Sequence, residues 1–129
     1  MSTIFTKIIQ GEIPSYKVAE DDYFIALLDI NPNAKGHVLC VPKIEVDKFF
    51  DLDEATYLDL MRFSRKVAIG LEKSISCKRI GVAIIGLEVA HVHVHLIPLN
   101  EMKEMTFSHK IEMTHDEFSV LANQIKSNI

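Results

Sequence analysis

Three histidines alternating with aliphatic residues, in His91-Val92-His93-Val94-His95-Leu96-Ile97-Pro98, constrain this chain more than any other stretch. In a β-strand successive side chains point to opposite faces, so His91, His93 and His95 line one face at intervals of roughly 6.8 Å while Val92, Val94 and Leu96 line the other. A helix would set positions two apart about 200° around its axis and would restrict the β-branched valines. The stretch therefore reads as a strand with one face for a core and one for solvent, a ligand or a metal. It holds three of the six histidines of the chain, a concentration that an ordinary half-buried strand does not require.

At 129 residues the chain is expected to form a single domain, residues 1–129, large enough to bury about two-thirds of its unfolded surface without disulfides or metal. No apolar run approaches the ~20 residues that span a bilayer, and the N-terminus lacks the basic region and apolar core of a secretory leader. A cytoplasmic protein without a membrane partner is expected. Cys40 and Cys77 then read as small core hydrophobes in a reducing compartment. The formal net charge of −4, with no long basic cluster, argues against a nucleic-acid duplex as partner and allows a single bound nucleotide.

Ser2 or Thr3 can cap a short helix whose apolar residues Ile4, Phe5, Ile8 and Ile9 share a face and which Gly11 ends. Strands are predicted over 16–19 and 23–29 around an acidic turn, the second of them apolar on both faces and central in the sheet. A loop of turn formers, 29–36, leads to a strand over 37–42. Helical spacing of Tyr57, Leu60, Met61, Val67, Ala68 and Leu71 predicts one long helix over about 53–73. Strand character returns at 80–85, and a short connection makes an antiparallel hairpin with the histidine strand. Residues 100–108 show no period, residues 110–113 suggest a short edge strand, and Thr114-His115-Asp116-Glu117 is a capping box for a last helix with Phe118, Leu121 and Ile125 inward. His109 and His115 read as surface residues. The expected fold is α+β, an antiparallel sheet of about five strands covered on one face by helix, with one long helix and short terminal helices.

Two chemistries suit a row of imidazoles. H-x-H on a strand can hold a metal, but His91 and His95 lie about 13 Å apart along an extended strand, too far to share an ion about 2 Å from each nitrogen without a large lean. The companion cysteines or H-E-x-x-H pattern of a metal centre are missing from the sequence. In phosphoryl transfer one imidazole attacks phosphorus while its neighbours hold the anionic oxygens. The middle residue, His93, is the geometric choice for nucleophile.

The residues Gly86-Leu87-Glu88-Val89-Ala90-His91-Val92-His93-Val94-His95-Leu96-Ile97-Pro98 resemble the signature of the histidine triad family, H-φ-H-φ-H-φ-φ. The resemblance extends to Ile4 through Ser15 and to two parts of a second block, Leu28 through Pro32 and Gly36 through Lys43. It covers roughly residues 3–98, leaving a C-terminal extension and helix at 99–129. It implies a histidine-triad-like α+β protomer, a homodimer whose sheets adjoin, and a purine nucleotide substrate in which AMP carries a leaving group. His93 then matches the nucleophile that forms a nucleotidyl-histidine intermediate, His95 and His37 match phosphate contacts, and His91 matches the supporting hydrogen-bond position. Asp29 matches the ribose-binding acid, and Phe5, Ile8 and Ile30 the pocket around the base.

Two departures bear on function. Many members bind structural zinc through a C-x-x-C pair, a later histidine and the first triad histidine. Here Thr3, Thr6 and Glu45 stand at three of those positions, so neither metal nor other cofactor is expected. The connection before the triad is shorter than usual, with Leu87 at a position that is Gln in many members and Glu88, a candidate nucleotide-binding residue, after it. The implied activity is hydrolysis or transfer on a nucleoside 5′-phosphoramidate or related AMP derivative. The alternatives are a nucleotide-binding regulatory module with little turnover and a dinucleoside polyphosphate hydrolase.

Overall fold

The computed structural model describes residues 2–129. Helix α1 (Ile4–Ile9) is capped by Thr3, whose hydroxyl accepts from the Thr6 amide, and the chain leaves it through Gly11 at φ +80°. Strands β1 (Lys17–Glu20) and β2 (Phe24–Leu28) form a hairpin. Its turn is held by the Asp21 carboxylate, which accepts from the amides of Tyr23 and Phe24. Strand β3 (Val38–Pro42) follows, then the long helix α2 (Glu54–Ser74), capped by Asp53. Strands β4 (Arg79–Ala83) and β5 (Val94–Leu99) and helix α3 (His115–Lys126) complete the fold. Both halves of the predicted capping box at Thr114 and Glu117 are present in α3.

The five strands form one antiparallel sheet in the order β1-β2-β3-β5-β4. Strand β3 is thus the centre, and β2, predicted central, lies one place off it, buried on both faces. Alternation sorts the side chains. Phe24, Ala26, Leu28, Val38, Cys40, Val94 and Leu96 face α2 and α3 in the larger core, whereas Ile25, Leu27, Leu39 and Val41 face Phe5, Ile8 and Ile9 of α1. Helix therefore covers both faces, one fully and one in part, because α1 is apolar enough to roof the strands on its side. That roof leaves a cleft beside His93 and His95.

Two expectations about strands are corrected. The predicted edge strand at 110–113 is irregular chain, because Ile111 donates its amide to Pro32 in the 29–36 loop rather than to a strand. The histidine strand begins only at Val94. Val92 donates to Val46 instead of joining the ladder, so His91 and His93 precede the sheet while keeping the predicted alternation. No helix among the described residues is long and apolar enough to cross a membrane.

Candidate active site

Four imidazoles converge where β3 and β5 meet the 29–36 loop. His95 pairs across the sheet with Leu39 on β3 and Ala83 on β4, which fixes its backbone, and His37 enters from just before β3. Gly36 makes that entry possible: it sits at φ +93°, and a Cβ there would approach Ile75 Cγ1 to 3.0 Å and Pro98 Cγ to 3.1 Å. The histidine face is not open to solvent as a bare strand would be. His37, His91, His93 and His95 are all buried, under α1 on one side and the chain after β5 on the other.

Burial calls for a partner at ring nitrogens that solvent does not reach, and the partners present fix the tautomers. The Asn33 amide donates to His37 Nδ1 at 3.0 Å, so the proton of neutral His37 sits on Nε2. That N–H points at His95 Nδ1, 2.9 Å away, so His95 carries its proton on Nε2. In the triad proper, His93 Nδ1–H donates to the His91 carbonyl at 2.7 Å, which leaves a lone pair on His93 Nε2. The rings of His93 and His95 lie edge to face, 4.9 Å between centroids. The network thus sets an acceptor on His93 beside a donor on His95.

His91 is held from both sides. Its Nε2–H donates to the Pro42 carbonyl at 2.8 Å, and its Nδ1 accepts the Thr3 hydroxyl at 2.8 Å. Thr6 donates its hydroxyl to Glu45 at 2.6 Å, and the same Glu45 oxygen accepts the Thr3 amide at 3.0 Å. Those donations keep the Glu45 carboxyl below its usual range. Thr3, Thr6, Glu45 and His91, the residues at the family's zinc positions, therefore meet in space. As a donor set they do not fit zinc, since they offer no thiolate and the free His91 nitrogen is already hydrogen-bonded.

Electrostatics keep the pair neutral. Burial, then the neighbouring His95, Lys110 and His93, push the His37 pKa down to about 3. Burial, His93 and Lys110 push His95 down to about 4, and burial also lowers His91. Asp29 shifts upward through burial, against the opposing donation from the Asn31 amide. Its Oδ2 lies 3.5 Å from His37 Nε2, a contact with a neutral ring. Asp29, His37 and His95 are the one grouping of possible metal donors among the described residues, but the His37 N–H is directed at the other two.

A cavity of about 200 Å³ opens in front of these groups. The predicted site residues Phe5, Ile8, Asp29, Ile30, Glu88, His93 and His95 all line it, with Ile4 and Leu28. Phe5 packs against His93 at 5.0 Å and edge-on to His91 at 5.7 Å. His37 and His91 stand behind the lining as partners of His95 and His93. Leu87 turns away from this cavity into a second one of about 700 Å³, lined also by Phe49, Phe50, Val82, Ile85 and His93. Sequence reasoning missed Asn33, Phe107 and Lys110. Asn33 read as a turn former, Phe107 falls in a stretch without period and Lys110 read as the start of an edge strand, so only the fold shows that they adjoin His37 and His95.

The sequence profile of the HIT domain matches residues 10–102. A HIT-like protein of Borreliella burgdorferi is 35% identical over 98% of this chain and 97% of its own length. An adenosine 5′-monophosphoramidase of Schizosaccharomyces pombe is 41% identical over 76% of this chain and 74% of its own. The crystal structure of a HIT-like protein from Bartonella henselae, 31% identical, superposes with a TM-score of 0.87 over 99% of this chain and 96% of that one. With four imidazoles gathered at one cleft and the profile, the relatives and the fold in agreement, the chain belongs to the histidine triad, or HIT, family.

Proposed function

We propose that this protein is a nucleotide hydrolase or transferase that attacks the α-phosphate of a nucleoside 5′-phosphoramidate or a related AMP derivative. The observation that carries this reading is the pairing of a free lone pair on His93 Nε2 with an N–H on His95 Nε2 at the mouth of one cavity. The names of yeast relatives at about 40% identity, both adenosine 5′-monophosphoramidases, support the substrate class.

In this mechanism the base lies against Phe5, Ile8 and Ile30, and Asp29 accepts from the ribose hydroxyls. At about 200 Å³ the cavity is smaller than the roughly 300–1,000 Å³ of typical ligand sites, so the phosphate meets His93 and His95 in its lining while the leaving group extends beyond it. The His93 lone pair forms a bond to phosphorus as the P–N bond breaks, and the amine leaves with that electron pair and a proton from solvent. The His95 N–H, a neutral donor like the imidazole of some isomerases, holds the phosphoryl oxygens as charge builds on them. Water then cleaves the nucleotidyl-histidine bond, releasing AMP and a proton and restoring neutral His93.

Alkaline denaturing quench of the enzyme turning over an adenine-labelled phosphoramidate should trap label on protein, because the P–N bond to histidine survives in alkali, and His93→Ala should abolish both trapping and turnover. Label trapped on the His93→Ala variant would reassign the nucleophile. A second reading, a nucleotide-binding module with little turnover, is favoured by the connection before the triad. Leu87 is 90% exposed and has no donor, and the Glu88 carboxylate lines the nucleotide cavity. AMP binding without phosphoramidate turnover would select it, and turnover confined to a dinucleoside polyphosphate would select that leaving group instead.

We also propose a homodimer. The outer edge of β4 is free in the sheet order, and Val82, Ile85, Phe50 and Leu87 expose apolar surface beside it. Such an edge is a template for pairing with a second copy. Light scattering should report a dimer that Val82→Lys converts to monomer.

A further inference from the structure

The chain after β5 does more than connect the sheet to α3. A single turn of 3-10 helix, Met102–Met105, carries it back over the 29–36 loop, and residues 104–111 grip that loop at three points. Asn33, fully buried, donates its side-chain amide to the Glu104 carbonyl at 2.9 Å and accepts Lys110 Nζ on Oδ1 at 2.7 Å. Lys110 also donates to the Asn31 carbonyl at 3.1 Å, and Ile111 donates its amide to Pro32. Both ends of the Asn33 carboxamide are thus held by this strap.

Asn33 is also the residue whose backbone N–H sets the tautomer of His37 and, through it, of His95. Between the two grips on Asn33 the strap presents Phe107. Its backbone adopts φ +62°, unfavourable for a bulky residue, and its ring sits edge-on to His95 at 4.8 Å and to His37 at 6.1 Å. Lys110 Nζ stands 5.3 Å above that same ring. The strap therefore covers the imidazole pair and fixes the loop that orients it. Most of it, and the whole of Phe107 and Lys110, lies beyond the residues matched by the HIT domain profile.

We infer that Lys110 and Asn33 are positioning residues: by clamping the Asn33 amide on His37 Nδ1, the strap locks the His37–His95 pair in the one tautomeric arrangement that aims an N–H, rather than a lone pair, at an anionic phosphoryl group. The chemistry of the alternative shows why a lock is needed. If the Asn33 amide withdraws, His37 can carry its proton on Nδ1 and accept on Nε2 from His95 Nδ1–H. His95 would then direct a lone pair at the phosphate oxygens, replacing attraction by repulsion. On each ring the exchange breaks one N–H bond and forms another of the same kind, so the hydrogen-bond partners decide between the arrangements.

This inference rests on the proposed phosphate site, yet its test separates the two. Histidine ¹⁵N spectra of the full chain report directly which ring nitrogen bears hydrogen. Wild type is expected to show His37 and His95 protonated on Nε2. Lys110→Met, a change at an exposed side chain, should give a mixture of tautomers at both, and Lys110→Arg should restore the single form. Titration calorimetry should then show AMP affinity lowered about tenfold in Lys110→Met, as for loss of one hydrogen bond to a charged group. Adenosine affinity should stay within about twofold, because only the phosphate meets the His95 N–H. An unchanged tautomer in Lys110→Met overturns the inference, and so does an equal loss of AMP and adenosine affinity. Should wild type bind no AMP, the phosphate reading falls, and the spectra still decide whether the strap sets the tautomer.

Discussion

Thr3 shows how much one small side chain can do here. It caps α1, supplies the donor for His91 and gives its amide to Glu45. Thr3→Ala removes a cap worth typically about 1 kcal/mol and leaves a buried ring nitrogen unpartnered, which costs about 1–3 kcal/mol. We expect a loss of about 2–4 kcal/mol in urea denaturation, with Thr3→Ser close to wild type, whereas a loss below about 0.5 kcal/mol would mean that His91 finds another donor. The convergence of the four residues also predicts that Thr3→Cys, Thr6→Cys and Glu45→His together bind one zinc ion per chain with His91. Metal analysis after gel filtration checks this, and a metal-free triple variant would show that the positions do not close on a tetrahedral site. At this scale the sequence was legible where the pattern is local. Alternation exposed His91, His93 and His95, and the second block exposed Asp29 and His37. Asn33 was not legible, because what matters is its main-chain N–H and two partners more than seventy positions away.

Among the elements, the short loop between β2 and β3 carries the most consequence, since Asp29, Asn33 and His37 all depend on its path. Gly36→Ala should cost roughly 1–2 kcal/mol for the left-handed backbone and more where the added carbon meets Ile75 and Pro98. A lowered melting temperature together with weakened AMP binding is the expected result, and an unaltered melting curve would show that the loop can take another path. On the opposite face, Leu121→Ala in α3 should cost about 2–5 kcal/mol, because Leu121 is buried in the larger core. It should leave the histidine tautomers alone. Helices α1, α2 and α3 and all five strands were readable from periodicity and caps, to within a few residues at their ends. The errors share one cause. Residues 91–93 and 110–113 look like strand by pattern, but their backbone amides at Val92 and Ile111 are taken by Val46 and Pro32, and local pattern carries no sign of that competition.

For the molecule as a whole, burying several neutral imidazoles makes stability depend on pH well above the carboxylate range. In the unfolded chain His37 and His95 take up protons as pH falls through about 6.5, while in the folded chain they are held neutral down to about 3 and about 4. Between those limits the unfolded state binds more protons. Stability is therefore full above about pH 6.5 and falls on acidification, by up to about 1.4 kcal/mol per pH unit for each such histidine. His91, also lowered by burial, adds to the trend, and the raised Asp29 opposes it only in the carboxylate range. Urea midpoints should decline steadily between about pH 7 and pH 5, and a flat profile there would show that the imidazoles gain protons without unfolding. Finally, the place where β5 begins divides the site by mobility. His95 lies inside the ladder with strands on both sides, so its amide should exchange hydrogen only when the whole sheet opens. His93 lies just before the first ladder residue, where small local openings suffice. The group proposed to bond to phosphorus and then be freed by water thus sits on the more yielding segment, and the group proposed to steady the phosphate sits inside the ladder.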